Sequence, residues 1–227
     1  MDWLANVRNE GYGLIPHVFA PSQVESLLNV LHQEGLPRTR AGVRHAMRSP
    51  NVTEIATDPR MLEIARRILG AGAMPFRATL FEKLHDSNWL VPWHQDTALP
   101  LQERVEATGW GPWSIKDGVN YAHAPRNALE KVVALRLHLD DSNLDNGPLR
   151  VLPATHTKGV LTDDEILSIA AQTASIDCLM PKGGIVAMRP LAIHASSKSQ
   201  TDNARRVLHV EYAESTVIDA NVRLAIT

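Results

Sequence analysis

The feature that most constrains the fold is a series of strand-like segments that begins near residue 78 and continues toward the C-terminal end. Short apolar segments separated by Pro, Gly and Asn-Gly turns are typical of an antiparallel sandwich or barrel. The clearest candidate strands are Ala78–Leu84, Lys131–Asp140, Gly184–Arg189 and Arg205–Ala213. The chain is therefore predicted to be mainly β.

The second of these candidate strands alternates between apolar and polar residues. Leu135, Leu137 and Leu139 occupy every other position, and polar side chains fill the positions between them. Successive side chains of a strand point to opposite faces. We expect one face to pack on an apolar layer and the other, which carries Arg136, to line a polar cavity.

Two segments that precede this region have the apolar period of amphipathic helices. The first has Ser22 and Glu25 as a predicted capping box and ends at Gly35. The second begins at an Asp58 cap and ends at Gly70. We expect both helices to pack on the sheet and to carry no chemistry.

The sequence between Pro100 and Pro125 is rich in Gly, Trp and Pro and has no clean period of either kind. A loop of this length inside a compact protein is usually functional or mobile. Two interpretations of its Gly109–Trp113 segment and of Trp89 stay open. These tryptophans close over a flat or apolar small molecule, or they only pack a lid against the barrel.

Composition limits the class of protein. A length of 227 residues with 44% hydrophobic residues suits one core, so residues 1–227 are expected to form a single domain. The formal net charge of -2 gives no broad cationic field, which argues against nucleic acid as a partner. We expect a cytoplasmic protein without a membrane partner, because no secretory signal or membrane-spanning run is visible. Cys178 is the single cysteine, so any metal must be bound by His and carboxylate.

The segment Trp93–Asp96 contains the motif His-x-Asp. On a strand, His94 and Asp96 point to the same side, so an imidazole and a carboxylate can reach one metal ion while Gln95 points away. Together with a distant second histidine they would form the two-His, one-carboxylate face that is typical of non-haem iron oxygenases.

The bare motif is weak, because it has competitors. His138-x-Asp140 repeats it, and His209-x-Glu211 is a Glu version on another predicted strand. The more ordinary interpretation of both is polar lining of a cavity. A further Glu version at His32 lies on the first predicted helix, where positions i and i+2 do not share a face, so it is discarded.

Several downstream segments agree with the His94 motif, and together they resemble the phytanoyl-CoA dioxygenase family. The matching pieces are Trp93–Asp96, then Asp145–His156 with its Asp-Asn-Gly-Pro-Leu-Arg-Val-Leu-Pro-Ala-Thr-His sequence, then His194–Ser196, and finally Arg205. They occur in the family's order and at its spacing.

The resemblance implies specific site residues. In that family the distal metal ligand is a histidine, and the arginine that binds the far carboxylate of 2-oxoglutarate follows eleven residues later, which points to His194 and Arg205. Ser196 corresponds to a serine that hydrogen-bonds the same carboxylate. Because adjacent strand residues face opposite ways, an inward-facing Arg206 stays an alternative.

Other candidate cofactor-binding residues are less determined. Arg136 lies where some family members have tryptophan beside the co-substrate, and three roles for it stay open. It contacts 2-oxoglutarate, it pairs with an acidic substrate, or it forms an internal ion pair with Asp140. Lys83 and Thr79 share one face of the preceding strand and are further candidates to line the cofactor site.

The resemblance implies a double-stranded β-helix, a cupin-like jelly roll with flanking helices. It also implies an Fe(II)- and 2-oxoglutarate-dependent dioxygenase in which His94, Asp96 and His194 hold the metal. Such an enzyme consumes O2, releases succinate and CO2, and typically hydroxylates an unactivated C–H bond of a small-molecule substrate. Two alternatives are a metal-dependent cupin-like isomerase or hydrolase and a non-catalytic binding protein. Neither the substrate nor the oligomeric state is indicated by the sequence.

Overall fold

The computed structural model describes residues 2–39, 42–84 and 88–227, and the elements below belong to those ranges. The helices are α1 Trp3–Asn9, α2 Pro21–Gln33, α3 Pro50–Ala56, α4 Pro59–Leu69, α5 Arg126–Leu129 and α6 Asp163–Gln172. The strands are β1 Tyr12–Ile15, β2 Gly42–Val43, β3 Met74–Lys83, β4 Val91–His94, β5 Ala98–Leu101, β6 Trp113–Lys116, β7 Val119–His123, β8 Val132–His138, β9 Leu149–Val151, β10 Ile176–Cys178, β11 Ile185–Met188, β12 His194–Ser196, β13 Arg205–Ala213, β14 Val217–Asp219 and β15 Val222–Arg223.

Two antiparallel sheets dominate the structure. The larger has the strand order β1-β11-β8-β13-β3-β2, and the smaller has the order β10-β9-β12-β4. The predicted candidate strands correspond to β3, β8, β11 and β13, and β13 has the predicted bounds. The mainly β class with flanking helices is therefore confirmed.

The alternation predicted for β8 is confirmed as well. Leu135, Leu137 and Leu139 are fully buried in the core cluster that also contains the apolar faces of α2 and α4. Arg136 points to the other side of the sheet and lines a cavity. The larger sheet thus separates an apolar layer under the helices from a polar interior.

The two predicted helices are α2 and α4, but the capping box of α2 was predicted at the wrong residues. The N-cap of α2 is Ala20, whose N–H donates to Gln23 Oε1 at 3.1 Å, because Pro21 opens the helix one residue before Ser22. For α4 the prediction is confirmed, since Asp58 Oδ1 accepts from the backbone N–H of Arg60 at 2.8 Å.

The sequence between Pro100 and Pro125 was predicted to be one long loop, and this prediction is wrong. The segment contributes to a small sheet with the order β5-β7-β6. Its strands have only four or five residues, which is too short for a visible period between Gly and Pro turns. Trp110 is buried in a second core cluster and donates to Asp219 Oδ2 at 3.2 Å. Trp113 packs against the same cluster, so packing is what the structure shows for both.

Among the described residues, no helix combines the length and the apolar character that crossing a bilayer requires.

The layer between helices and sheet predicts the response to truncation. Leu137 is fully buried there, so Leu137→Ala should lower the free energy of unfolding by about 2–5 kcal/mol through lost burial and a cavity. Leu144 is 63% exposed, and Leu144→Ala should stay within about 0.5 kcal/mol of the parent protein. Urea unfolding of the two variants measures both values, and equal losses would contradict this packing.

Candidate metal centre

The pairing of β4 with β12 positions the candidate ligands. His94 at the end of β4 lies directly opposite His194 at the start of β12 in the antiparallel register. The chain continues from β4 to Asp96, whose backbone N–H donates to the Pro190 carbonyl at 2.9 Å. His94 and Asp96, which are neighbours in sequence, therefore meet the distant His194 at one edge of the smaller sheet.

The ligand atoms of this cluster converge. His94 Nε2 lies 3.6 Å from Asp96 Oδ1, and His194 Nε2 lies 3.5 Å from Asp96 Oδ2. The two imidazole centroids are 4.2 Å apart. One ligand atom from each residue lies within 4.8 Å of the others, and within the described ranges this is the one His, Asp, Glu or Cys group that meets that condition. The cluster has the dimensions of a site for a single cation.

Backbone contacts leave the correct ring nitrogens free for a metal. The Nδ1 atoms of His94 and His194 lie 2.8 Å and 3.0 Å from the carbonyl oxygens of Pro92 and Ala192. A carbonyl only accepts, so each Nδ1 must carry the proton, and each Nε2 then presents a lone pair toward Asp96. The same contacts fix the ring orientations, as outer hydrogen bonds do in known metal sites.

Gln95, between His94 and Asp96, points away from the cluster as predicted and anchors this segment, although β4 ends at His94 and Asp96 lies just beyond the strand. Its amide nitrogen donates to the carbonyls of Gly159 and Leu191 at 2.9 Å and 2.8 Å. Its amide oxygen accepts from the N–H of Leu161 at 2.9 Å. These buried hydrogen bonds hold His94 and Asp96 in register with the strand that carries His194.

The electrostatics of the cluster suit metal ligation. Burial and the neighbouring His94 lower the pKa of His194 to about 4, which leaves this imidazole neutral at pH 7. Burial alone would raise the pKa of Asp96, but the two histidines hold it well below its ordinary value. For His94, burial lowers the pKa and the Asp96 carboxylate raises it, with a net upward direction. A carboxylate and a neutral imidazole are the ionisation states that bind a divalent cation.

The competing histidines have other surroundings. His209 lines the same cavity, but its Nδ1 lies 2.8 Å from Arg136 Nη1, so it is engaged with a cation. His138 is fully buried and does not line this cavity. Burial and the Arg136 charge hold the pKa of both rings well below the ordinary value. His32 is exposed on α2.

A cavity of about 390 Å³ opens from the cluster between the two sheets. Lys83, Ser196 and Arg205 lie together on one side of it and are at most 5% exposed. The Ser196 hydroxyl accepts from Lys83 Nζ at 2.7 Å and from Arg205 Nη2 at 3.2 Å, and it donates to the Gly147 carbonyl at 2.9 Å. We call Lys83, Ser196 and Arg205 the inner cationic group.

The inner cationic group has no carboxylate partner among the described residues. Lys83 also donates to the Ser197 carbonyl, and Arg205 Nε donates to the Asn146 carbonyl at 3.2 Å. Burial, followed by the charges of Arg205 and other nearby arginines, lowers the pKa of Lys83 to about 7. Two buried cations that meet at one hydroxyl form a site for an anion.

The structure shows which of Arg205 and Arg206 faces the cavity and whether Arg136 pairs with Asp140. Arg205 faces the cavity, whereas Arg206 forms a two-bond ion pair with Asp140 at 2.8 Å for each bond. The proposed Arg136–Asp140 ion pair is therefore wrong, because Asp140 lies beyond the end of β8 on the side of Arg206. Arg136 is 8% exposed and lines the cavity, as Thr79 does on β3.

Sequence reasoning missed part of the cavity wall. No motif marks five further lining residues: Arg44, His45, Arg77, Lys116 and Tyr121. Arg77 and Lys83 lie toward opposite ends of β3, so these residues are separated from the inner cationic group along that strand. They come from β3, from the segment after β2 and from the small sheet, which was predicted as a loop. Trp89, which the sequence suggested, also lines the cavity.

Comparison with known proteins agrees with this geometry. Residues 7–207 match the model of the phytanoyl-CoA dioxygenase (PhyH) family. The chain belongs to the phytanoyl-CoA dioxygenase family. Among curated proteins, L-proline trans-4-hydroxylase of Streptomyces griseoviridis is 26% identical over 184 residues. That match covers 70% of this chain and 61% of the hydroxylase, so the chain spans about three fifths of the relative's length.

Solved structures show the fold of this family member. AviO1 from Streptomyces viridochromogenes Tue57 superposes with a TM-score of 0.69 at 20% identity, covering 98% of this chain and 96% of AviO1. HygX from Streptomyces hygroscopicus was solved with nickel and 2-oxoglutarate bound. It superposes with a TM-score of 0.64 at 18% identity, covering 93% of this chain and 85% of HygX. The jelly-roll prediction is confirmed by these likenesses.

The cluster geometry predicts a specific loss of metal binding. His194→Ala should lower iron(II) affinity by more than the roughly 10–100-fold that follows loss of an outer hydrogen-bonding partner, because it removes a direct ligand. His32→Ala, an exposed histidine on α2, should leave the affinity unchanged. Anaerobic equilibrium dialysis measures both variants. Equal iron binding by His194→Ala and the parent protein would mean that this cluster is not the metal site.

Proposed function

We propose that this protein is an iron(II)- and 2-oxoglutarate-dependent dioxygenase whose metal ligands are His94, Asp96 and His194. The observation that carries the proposal is a His-Asp-His cluster that shares one cavity with a buried, carboxylate-free cationic group. A dicarboxylic keto acid has complementary chemistry, since one end can chelate a metal while the other end binds cations. Family membership supports these cofactors, and the HygX structure with nickel and 2-oxoglutarate bound supports a metal together with this keto acid.

The donor set fits iron(II). Two imidazoles and one carboxylate are the donors that non-haem iron oxygenases use, and they would hold the ion while leaving room for the keto acid and O2. No thiolate is involved, because the single cysteine, Cys178, is buried away from the cluster and its thiol pKa is raised to about 12 by burial.

Bound iron(II) would supply the redox chemistry by which O2 oxidises both partners, giving one oxygen atom to the succinate formed with CO2 from 2-oxoglutarate and the other to a substrate C–H bond. The protein's own residues bind, orient and exclude water. Arg205 and Lys83, with the Ser196 hydroxyl between them, would hold the distal carboxylate. The backbone contacts at Nδ1 keep both imidazoles in the tautomer that binds the metal.

The outcome of the reaction is proposed to be hydroxylation of a small molecule. Support comes from the relative L-proline trans-4-hydroxylase, whose name gives a small amino acid as its substrate. The 390 Å³ cavity suits a small metabolite better than a macromolecule. Succinate release across a panel of metabolites measures turnover and identifies the substrate.

Anaerobic addition of iron(II) and then 2-oxoglutarate tests the cofactor proposal directly. The chelate of keto acid and iron(II) should produce a weak visible charge-transfer band that saturates at one equivalent. Iron binding without this band would favour a metal-dependent isomerase or hydrolase instead, and no iron binding would favour a non-catalytic role.

The inner cationic group predicts that Arg205, and not Arg206, contributes to 2-oxoglutarate binding. Arg205→Gln should raise the 2-oxoglutarate concentration for half-saturation of the band by about 30-fold or more, because a buried charged hydrogen bond contributes at least ~2 kcal/mol. Iron affinity should change little. Arg206→Gln alters the neighbouring residue, which pairs with Asp140 outside the cavity, and should leave 2-oxoglutarate binding unchanged. A larger loss of 2-oxoglutarate affinity in Arg206→Gln than in Arg205→Gln would mean that the carboxylate site is misassigned.

The lowered pKa of Lys83 predicts a pH dependence. Below its pKa of about 7 the amine is protonated and attracts the distal carboxylate, and above it the charge is lost. The nearby Arg205, whose pKa burial lowers to about 10, keeps its charge over this range. At saturating iron(II), affinity for 2-oxoglutarate should therefore fall several-fold as pH rises from about 6.5 to about 8.

Lys83→Met provides the control for this pH dependence. The variant should bind 2-oxoglutarate more weakly at the lower pH, and its affinity should be nearly independent of pH. A slope in the variant equal to that of the parent protein would assign the dependence to another group.

A further inference from the structure

The part of the cavity wall formed by Arg44, His45, Arg77, Lys116 and Tyr121 is a second concentration of positive charge, and we call it the outer cationic group. It is assembled from separate elements. Arg77 lies on β3, Lys116 ends β6, Tyr121 lies on β7, and the other two residues follow β2. Residues distant in sequence are thus brought to one wall of the cavity that contains the metal cluster.

Tyr121 is the centre of the outer cationic group. Lys116 Nζ lies 4.8 Å from its ring centroid, and Arg77 Cζ lies 5.8 Å from the same point. The Tyr121 hydroxyl lies 3.0 Å from His45 Nε2. The tyrosine is only 5% exposed, so its ring and hydroxyl form a fixed surface beside the two cations.

The charges of the outer cationic group are not balanced. Arg77 forms an ion pair with the buried Glu211 and also donates to the Ala98 carbonyl at 2.8 Å. Arg44 and Lys116 form no ion pair among the described residues. Asp117, in the turn after β6, acts on His45 through its charge, but it is exposed and makes no ion pair with either cation.

Mutual repulsion is visible at Lys116. Burial, and then the charges of Arg44 and Arg77, lower the pKa of this half-buried amine. Holding like charges together costs free energy unless an anion lies among them. Arg44 is exposed, Lys116 is half-buried, and both line the cavity.

The cofactors leave this charge uncompensated. Among the described residues that line the cavity, six carry Lys or Arg charge and two carry a carboxylate. The charges of iron(II) and of 2-oxoglutarate offset each other, and the distal carboxylate of the latter would occupy the inner cationic group. Arg77 links the outer cationic group to the metal cluster, because it interacts electrostatically with Lys116 and with Asp96.

The geometry points to a substrate that carries a carboxylate or phosphate group, bound by Arg44 and Lys116 against Tyr121, with its reactive carbon toward the metal cluster. This inference rests on the proposed function, because the bound anion is a substrate only if the protein is the proposed dioxygenase. The binding of an oxyanion to these residues is a separate physical claim. An anchor at this end would orient the molecule by one charged contact and leave its neutral part for the region near His94.

Anion binding by the outer cationic group can be measured without knowing the substrate. The parent protein is saturated anaerobically with iron(II) and 2-oxoglutarate and titrated with sulfate or acetate by calorimetry at low ionic strength, where screening is weak. The same titrations use the double variant Arg44→Gln/Lys116→Gln. The control is Arg223→Gln/Lys158→Gln, which removes the same charges from exposed positions outside the cavity.

We expect the parent and the control to bind one further anion saturably, and the Arg44→Gln/Lys116→Gln variant to bind it at least ten-fold more weakly. The visible band should be the same in all of them. Stronger binding of acetate than of sulfate would indicate a carboxylate group, and the reverse order would indicate a phosphate. An unchanged anion affinity in the double variant, or no saturable binding by the parent, would overturn the inference.

Failure of the proposed function gives a different result. If the visible band does not form, the same anion titrations on metal-free protein still compare the variants, because the inner cationic group is identical in all of them. Loss of one class of anion site in Arg44→Gln/Lys116→Gln would then support the outer site alone. Equal anion binding by every variant would overturn it.

Discussion

The antiparallel pairing of β4 with β12 is the interaction on which the site depends. It places His94 opposite His194, and the next turn of chain brings Asp96 to the same ion-sized space. A one-residue slip of either strand would turn an imidazole to the other face of the sheet. Gln95 helps to hold this register, because it bonds to Leu191, shortly before β12, and to Gly159 and Leu161.

The larger sheet supplies the opposite wall by the same rule of alternation. On β8, leucines point to the helices and Arg136 points to the cavity. On β13, Arg205 and His209 face inward, while Arg206 pairs with Asp140. The helices therefore contribute to function indirectly, since they cover the apolar face and leave the other face free to carry charge.

Much of this was predictable because it follows from local periodicity or from motif spacing. The strands β3, β8, β11 and β13 show clear apolar segments, and the positions of His194 and Arg205 follow from the family resemblance. The short strands between Pro100 and Pro125 were not predictable, since four residues between turns show no period. The outer cationic group was missed for a different reason, because only the tertiary fold brings Arg44 and Lys116 to the same cavity wall. The single-domain assignment stays a prediction.

In our proposals the two cationic groups give the cavity a direction, because the inner group would bind the far carboxylate of 2-oxoglutarate and the outer group would bind a substrate anion. The central claim remains that His94, Asp96 and His194 bind one iron that 2-oxoglutarate chelates. A crystal structure of the anaerobic complex, with anomalous scattering measured at the iron edge, tests it most directly. The account predicts a single iron peak bonded to these three side chains, with the keto acid extending to Arg205. An iron peak elsewhere, or a keto acid turned away from Arg205, would contradict it.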